Sequence, residues 1–322
     1  MKPTPSRATP SLTTGGERRV GAIDIGTNSV LLLVAERRGD ELVPLLERAT
    51  ITRLGQGVDR TRELAADAVE RTLDCLAGYG EDLRAWGVQR ARAVGTSAMR
   101  DARGGQAFRE RAALLLGFEP EVISGDEEAR LSFVGGLSGL PIAQGERAAV
   151  FDIGGGSTEI VRGRRGQAEL EAARSLDIGS VRLTERHVRH DPPRREELAA
   201  IDADVEAALE LAPRIDGARL VGVAGTVTTL GAIAAAIDPY DAERVHGLEL
   251  GLAELEAVTE RLASLPLAER TKLPGLSPKR ADVIVAGARI ALAVARASEA
   301  RSLLISDRGV RWGVAESLAR EA

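Results

Sequence analysis

The sequence predicts an α/β protein with two similarly built domains, each a mixed sheet flanked by helices. Segments 20–35 and 149–162 both carry Asp-Ile-Gly-x-x-Ser between β-rich apolar residues, and they lie about one domain length apart. Alternating strand and helix patterns follow each copy. This alternation favours sheets covered by helices over a helical bundle or a β-sandwich. The chain has 322 residues, enough for about two domains.

The composition excludes several classes of function. Hydrophobic residues make up 44% and charged residues 28%, so the chain can bury a core. A net charge of −5 provides no overall basic field for nucleic acid or anionic membrane, and only 2% aromatic residues leave few platforms for base stacking. Cys75 is the single cysteine, which excludes an intrachain disulfide and fits a reducing compartment. We therefore expect a cytoplasmic protein that binds neither nucleic acid nor membranes.

The N-terminal tail, one uncharged segment and a cluster of Gly and Pro indicate how the chain is organised. Residues 1–17 are rich in Pro, Ser, Thr and Gly without an apolar region, which predicts a disordered tail and not a signal peptide. Residues 220–237 are uncharged, but Gly and Thr interrupt them, so a strand, a turn and a helix are favoured over a membrane span. Gly and Pro cluster near residue 140, which predicts a domain boundary there. The two predicted domains are therefore 18–140 and 141–308. We expect a C-terminal helix at 309–322 that can pack back on the first domain.

The elements follow in order from periodicity and punctuation. Segments 20–35 and 149–162 each predict a β-hairpin with a small-residue turn. In the first domain the hairpin is followed by a strand at 41–53, a helix over 62–86, a strand at 90–96, a helix from 104, a short strand at 119–124 and a helix from 126. In the second domain we expect a strand near 167–176, helices near 180–189 and 194–211, a strand at 218–225, helices near 226–236, 251–263 and 278–298, a strand at 302–306 and a helix from 309.

The two hairpin turns could bind phosphate. Small residues between strands leave backbone N–H groups free to converge on an oxyanion, and glycine lets a phosphate approach the backbone. Thr27, Ser29, Ser157 and Thr158 add hydroxyl groups. An Asp at the end of each first strand could hold hydrated Mg²⁺ beside the phosphates. One such turn alone would be read as a plain hairpin, whereas two matching copies favour a cleft with a phosphate clamp on each wall.

Three further segments carry polar groups near glycine turns. In 223–230, Thr226 would lie near a helix N-terminus that favours anions, although a helix cap explains it equally well. Lys279 and Arg280 are predicted in the first turn of a helix, where cations are unfavourable, so a bound anion or a solvated helix start would explain them. A third Asp-Ile-Gly, at Asp177, precedes a helical pattern and is interpreted as a turn at the edge of the cleft.

A candidate general base lies in the segment ISGDEEARLSFVGGL. Ser124 and Glu127 match a capping box, which gives Glu127 a structural explanation. Glu128 is in line with Leu131 on the apolar row, where burial would raise its pKa and suit a base. A solvated Glu in the first turn of the helix is an equal alternative. Arg100, in a polar loop after a strand, could contact phosphate or lie on the surface.

These motifs together resemble a known family. In order they are VGAIDIGTNSVLLLVA, GTSAMRDA, ISGDEEARLSFVGG, FDIGGGSTEI, VAGTVTTL, LPGLSPKRADVIVAG and SDRGVRWG, spanning about 19–320. They resemble the exopolyphosphatase and guanosine pentaphosphate phosphohydrolase family of the actin-like ATPase superfamily. The resemblance implies two actin-like (ribonuclease H-like) domains with the active site in the interdomain cleft. It also implies hydrolysis of a terminal phosphoanhydride.

The resemblance assigns roles to individual residues. It implies that Glu128 is the catalytic base and that Arg100 contacts phosphate. Glu159 and Asp152 match residues that arrange Mg²⁺ and the reacting water, and Asp24 is the opposing metal-site carboxylate. From the turns and the resemblance together, the predicted substrate-binding residues are Gly26, Thr27, Asn28, Ser29, Gly154, Gly155, Gly156, Ser157, Gly225, Thr226, Lys279 and Arg280.

The resemblance also bounds the substrate. Longer family members carry a further helical domain of HD type that extends a polyphosphate channel, and this chain ends before it. We therefore expect polyphosphate or guanosine penta- or tetraphosphate as the partner, with short chains or nucleotides favoured over processive digestion. Mg²⁺ or another divalent cation is the expected cofactor. The sequence does not decide between a monomer and a homodimer. The alternatives are a kinase-like ATPase and a non-catalytic alarmone or polyphosphate sensor. A kinase would need an adenosine pocket and usually inserted subdomains, for which 322 residues leave little room, and a sensor would not need Glu128.

Overall fold

The computed structural model describes residues 19–39, 41–215 and 217–320, so the predicted tail at 1–17 lies outside the described residues. The strands are β1 (Arg19–Ile25), β2 (Ser29–Arg38), β3 (Glu41–Ile51), β4 (Arg90–Gly95), β5 (Glu121–Val122), β6 (Arg147–Ile153), β7 (Thr158–Arg164), β8 (Leu170–Leu176), β9 (Arg219–Val223), β10 (Glu249–Gly251) and β11 (Ser302–Ile305). The helices are α1 (Val58–Thr61), α2 (Ala66–Ala85), α3 (Ser97–Asp101), α4 (Gly105–Leu116), α5 (Gly125–Gly136), α6 (Ser180–His187), α7 (Arg195–Leu209), α8 (Ala224–Ala234), α9 (Ala242–Val245), α10 (Leu252–Ser264), α11 (Leu267–Arg270), α12 (Ile284–Ala297) and α13 (Val310–Arg320).

The two sheets share one strand order. The first sheet runs β3-β2-β1-β4-β5, with β1, β2 and β3 antiparallel and β4 and β5 parallel to β1. The second sheet runs β8-β7-β6-β9-β11 in the same pattern, with β10 added antiparallel at its edge. The α/β class with two mixed sheets flanked by helices is confirmed, and both Asp-Ile-Gly segments form the predicted hairpins.

Each sheet packs its own helices on one face. In the first sheet, α2 and α4 cover β1 and β2, and Leu76 and Phe108 are fully buried in that layer. The apolar residues of α2 recur every three or four positions, so one stripe of the helix faces the sheet. In the second sheet, Phe151 of β6 and Ile290 of α12 belong to the largest core cluster. The other face of each sheet packs on α5 or α13, so the central strands are buried on both faces, which explains their nearly continuous apolar sequences.

Helices α5 and α13 lie between the two sheets and cross each other closely. On α5, Ala129 and Phe133 pack on β6, β7 and β9 of the second sheet. On α13, Trp312 packs on β1 and β2 of the first sheet. A Cβ at Gly313 would overlap the backbone of Leu131, so this crossing requires glycine. Because α5 precedes residue 140, the core of the second sheet begins before the predicted domain boundary, and the boundary itself stays a prediction.

Two local expectations were wrong. The predicted helix at 278–298 begins as a 3₁₀ turn, Pro278–Arg280, and α12 begins only at Ile284. Lys279 and Arg280 therefore do not lie in the first turn of the long helix. Arg100, expected in a loop, lies in the short helix α3. Propensity alone does not place such short elements, because tertiary contacts decide them.

The uncharged segment 220–237 forms β9 and α8, as the sequence predicts. Within the described ranges, none of the helices combines the length and the apolar character that a bilayer crossing would need.

Candidate active site

The turns of the two hairpins face each other. We call residues 26–29 the first loop and residues 154–157 the second loop. Both close in the same way, since Gly26 N–H donates to the Ser29 carbonyl at 2.9 Å and Gly154 N–H donates to the Ser157 carbonyl at 3.0 Å. A Cβ added to Gly155 would lie 2.9 Å from Thr27 Cβ. The two predicted phosphate clamps are thus brought together.

The contact between the loops depends on glycine in the second loop. A Cβ at Gly156 would overlap the Ser97 hydroxyl and approach Thr27 Oγ1 to 3.1 Å. Thr27 and Ser97 are themselves 7% and 3% exposed, and their hydroxyl oxygens are 3.4 Å apart. The cavity that these residues line measures only about 10 Å³, so the described conformation is closed at this point.

Four carboxyl groups lie beside the loops, and we call them the carboxylate cluster: the half-buried Asp24 and the buried Glu128, Asp152 and Glu159. Asp24 ends β1 in the first sheet, and Asp152 ends β6 in the second. Glu159 is the direct cross-strand partner of Asp152. Glu128 joins them because α5 packs on the second sheet. Like charges placed opposite each other destabilise a sheet, which makes a purely structural role for this pair unfavourable.

Burial and mutual repulsion change the titration of the carboxylate cluster. Burial first, and then the charge of Asp152, raises the pKa of Asp24 to about 7. Burial raises the pKa of Glu128 to about 8, although the positive charge of Arg100 opposes the rise. The pKa of Glu159 lies well above its usual range because of burial and the charges of Glu128 and Asp152. Glu128 is only 7% exposed, so the alternative of a solvated Glu does not hold.

Hydrogen bonds from neighbouring elements orient these carboxylates. Ser132, one turn after Glu128 on α5, donates to Asp152 at 2.5 Å, and Ser175 of β8 donates to Glu159 at 2.6 Å. Arg100 Nη1 donates to Glu128 Oε2 at 3.1 Å and also to a backbone carbonyl. The sequence analysis missed both serines. The spacing of Ser132 from Glu128 could have indicated the first, whereas only strand pairing identifies the second.

The capping box at the start of α5 forms only in part. Ser124 Oγ accepts a hydrogen bond from Glu127 N–H at 3.2 Å, as predicted. The Glu127 carboxylate instead accepts a hydrogen bond from Arg92 at 2.7 Å. Glu127 therefore has structural partners, and Glu128 is the one that faces the cluster.

The residues of the cluster fit a divalent cation. Asp24 Oδ1 and Asn28 Oδ1 are buried without a hydrogen-bond partner in the described part of the chain. No three His, Cys, Asp or Glu side chains in the described ranges converge enough to hold a metal by themselves. Mg²⁺ is usually held by one or two carboxylates together with water and substrate phosphates. The donor set therefore fits Mg²⁺ whose other ligands come from water and substrate.

Of the remaining predicted residues, Arg280 and Thr226 lie at the start of α8, whereas Lys279 lies at the surface. The Arg280 guanidinium lies against Gly225 in the first turn of α8, and its burial lowers the Arg280 pKa. Thr226 is 4% exposed and packs against Gly287 of α12. Its cap interpretation is wrong, because α8 begins after Val223 without a side-chain cap hydrogen bond. The Lys279 side chain is exposed, and the structure does not bring it to the cluster.

The third Asp-Ile-Gly segment has a larger role than a turn at the edge of the cleft. It leads into α6, whose first residues hydrogen-bond to the second loop. Arg182 of α6 is buried and contacts both walls of the cleft. Sequence reasoning missed Arg182, because nothing in a local pattern shows which of many arginines is buried.

The fold and the site define a class: a duplicated α/β protein whose cleft is lined by two glycine-containing hairpin loops and buried carboxylates. A model of the Ppx/GppA phosphatase family matches residues 33–322. The chain belongs to this family, as its motifs predict.

Two similar proteins support this family membership. The chain is 40% identical to exopolyphosphatase 2 of Mycobacterium tuberculosis, over 94% of this chain and 98% of the relative. It is 32% identical to a guanosine-5'-triphosphate,3'-diphosphate pyrophosphatase of Vibrio atlanticus, over 93% of this chain and 59% of that protein. The similarity thus includes relatives named for each of the two substrate types.

Two solved structures resemble most of the chain. An exopolyphosphatase-like protein matches with a TM-score of 0.87 and 34% identity, over 95% of this chain and 98% of that one. The Ppx/GppA enzyme of Aquifex aeolicus matches with a TM-score of 0.80 and 35% identity, over 94% of this chain and all of the other. Both matches extend over the two sheets of this chain.

Proposed function

We propose that this protein hydrolyses the terminal phosphoanhydride of inorganic polyphosphate or guanosine pentaphosphate. Water attacks the terminal phosphorus, and the bridging P–O bond breaks. The products are inorganic phosphate and a chain or nucleotide shorter by one phosphate. The observation that carries this proposal is the buried Glu128 beside three further carboxylates and the two facing loops. Family membership supports the reaction class, and these residues support the mechanism.

Glu128 is the proposed general base. Its raised pKa makes its carboxylate a stronger base than that of an exposed Glu, which suits proton removal from water near neutral pH. Arg100, bound to Glu128 at 3.1 Å, is within reach to contact a phosphate oxygen placed beside the base. The loop N–H groups and hydroxyls would hold the other oxygens of the transferred group.

Asp24, Asp152 and Glu159 are the proposed residues for Mg²⁺, with one or two of them binding the ion directly and water and substrate phosphates as its other ligands. The bound ion would neutralise negative charge on the phosphate oxygens and so favour attack by water. Asp24 comes from the first sheet and the other two come from the second, so the proposed site joins the two walls of the cleft. Ser132 and Ser175 hold Asp152 and Glu159 in place.

The decisive experiment is Glu128→Gln. We expect phosphate release to fall by at least about 100-fold, because a general base contributes that much or more. Tripolyphosphate should still bind, as measured by calorimetry. The neutral isostere relieves repulsion within the carboxylate cluster, so the melting temperature should not fall. Wild-type turnover in this variant would overturn the role of Glu128.

Glu127→Gln is the matched control on the same helix. Glu127 is explained by its contact with Arg92 and does not face the cluster. This variant should keep near wild-type turnover. Phosphate release should be compared on polyphosphates of graded length, guanosine pentaphosphate and ATP, with and without Mg²⁺. Transfer of labelled phosphate from ATP to an acceptor other than water would indicate a kinase, and binding without any release would indicate a sensor.

A further inference from the structure

The first turn of α6 covers the carbonyl side of the second loop. Three consecutive loop carbonyls accept hydrogen bonds from this turn. The bonds run from Ser180 N–H to the Gly154 carbonyl at 3.0 Å, from Val181 and Arg182 N–H to the Gly155 carbonyl at 2.9 and 3.0 Å, and from Arg182 Nε to the Gly156 carbonyl at 2.6 Å. The free N–H groups at the start of α6 are thereby satisfied by the loop itself.

This arrangement fixes the direction of the loop N–H groups. The peptides of the second loop are trans, and in a trans peptide the carbonyl and the following N–H point in opposite directions. The N–H groups of Gly155, Gly156 and Ser157 therefore point away from α6. None of the three donates a hydrogen bond to a residue in the described part of the chain. Consecutive free N–H groups of this kind form a cradle for an anion.

The same arginine also reaches the opposite wall of the cleft. Arg182 Nη1 donates to Asp59 Oδ1 at 2.7 Å, and Nη2 donates to Asp101 Oδ2 at 2.6 Å. The Arg182 side chain is only 7% exposed, so its planar fork is held by three acceptors in a dry environment. Asp101 ends α3, the helix that carries Arg100. One side chain thus connects the second loop to the helix that carries the proposed phosphate contact.

We infer that Arg182 is a positioning residue for phosphate transfer. It holds the Gly156 carbonyl so that the loop N–H groups stay turned toward the phosphate, and it aligns this cradle with α3 and Arg100. The inference rests on the proposed function of the cleft. Its alternative is that Arg182 only joins the two walls and affects stability.

Two substitutions separate these roles. Arg182→Lys keeps a positive charge that can pair with Asp59 or Asp101, but an ammonium group cannot bind all three acceptors of the guanidinium fork. Asp101→Asn leaves the bond to the Gly156 carbonyl intact and weakens the contact between the walls. Arg186→Met is the matched control. Arg186 lies one turn along α6 and also pairs with Asp59, but it does not touch the loop.

We measure kcat and KM for tripolyphosphate, tripolyphosphate affinity by calorimetry, and thermal unfolding. Arg182→Lys should lower kcat on the order of 100-fold, the loss expected when a reacting group is misplaced by about 1 Å. It should also weaken tripolyphosphate binding with little change in melting temperature. Asp101→Asn should lose far less activity, and Arg186→Met should match the wild type. A buried, unpaired charge could unfold Arg182→Met, so the double variant R182M/D101N tests removal of the guanidinium.

The outcomes distinguish this inference from the proposed function. If the wild type is active and Arg182→Lys keeps its kcat and affinity, the positioning role is wrong and the proposed function stands. An Asp101→Asn variant as impaired as R182M/D101N would likewise show that Arg182 only joins the walls. If the wild type releases no phosphate from any substrate, the proposed function fails and the calorimetric comparison decides the inference. A wild type that neither hydrolyses nor binds tripolyphosphate overturns both.

Discussion

The first and second loops share a backbone design but differ in their side chains. In the first loop, the Thr27 and Asn28 carbonyls accept hydrogen bonds from Gly55 and Arg53 N–H at 2.8 and 3.0 Å. In the second loop, α6 covers the carbonyls in the same way. Each covering segment also sends an arginine across the cleft, since Arg53 binds Asp282 and Arg182 binds its two aspartates. The duplication therefore extends beyond the hairpins to the segments behind them.

The difference lies in what each loop presents to the other. The first loop carries Thr27 and Asn28 where the second carries Gly155 and Gly156, and the Thr27 side chain fills the space that the glycines leave. Two facing loops with side chains at these positions could not approach this closely. The second hairpin also places Glu159 opposite its Asp, where the first has an apolar residue. One loop thus supplies side chains, and the other supplies free backbone and a second carboxylate.

The largest expected effect comes from making the second loop resemble the first. In Gly156→Asn the new side chain meets the Ser97 hydroxyl and Thr27, so the loops must separate. We expect activity to fall on the order of 100-fold and the free energy of unfolding to fall by about 1–3 kcal/mol. Phosphate release and urea unfolding measure the two effects. The control is Gly78→Asn at an exposed position of α2, where a Cβ meets nothing within 4 Å. Equal stability of both variants would contradict the close contact.

A smaller effect is expected when the first loop loses its side chain. Thr27→Ala removes a buried hydroxyl and methyl group from between the loops, which should cost about 1 kcal/mol of unfolding free energy. The matched control is the exposed Thr61→Ala on α1, which leaves the loops untouched. Urea unfolding measures both. A Thr27→Ala protein as stable as the wild type would mean that Thr27 does not hold the loops together.

The smallest effect concerns the exposed arginine. About a third of the Arg53 side chain is exposed, whereas Arg182 is 7% exposed. Arg53→Met should therefore cost only about 0.2–1 kcal/mol, and high salt should reduce the difference. The exchanged pair R53D/D282R should recover part of the loss seen in Arg53→Asp alone. If Arg53→Met proves as damaging as R182M/D101N, the two arginines are equivalent and their different exposure does not determine their contribution.

Local patterns predicted most of the framework. The hairpins, the alternation of strands and helices, and the Ser124 cap depend on period, propensity and turn residues close in sequence. The repeated motif predicted two similarly built domains, and the structure gives both sheets the same strand order. The placement of Glu128 on a buried row was also readable, since helical spacing puts it in line with Leu131.

Other features could not be read from local patterns. The 3₁₀ turn before α12 and the helix around Arg100 are too short for propensity to place. The packing of α5 between the sheets also depends on tertiary contacts, since Ala129 and Phe133 pack on the second sheet and Leu131 packs on the first. Arg182 and Ser175 act through partners far away in the chain, and no spacing within a single segment indicates such partners.

The sequence by itself determined two matching hairpins, two mixed sheets, membership of the Ppx/GppA family and a short set of candidate residues. Only the tertiary structure decided that the carboxylates of both sheets share one buried cluster and that α6 turns the second loop's N–H groups away from itself. The physical reason is that period and turn chemistry act between neighbours along the chain. Burial, charge repulsion and the contact of two facing loops arise only when distant segments pack together.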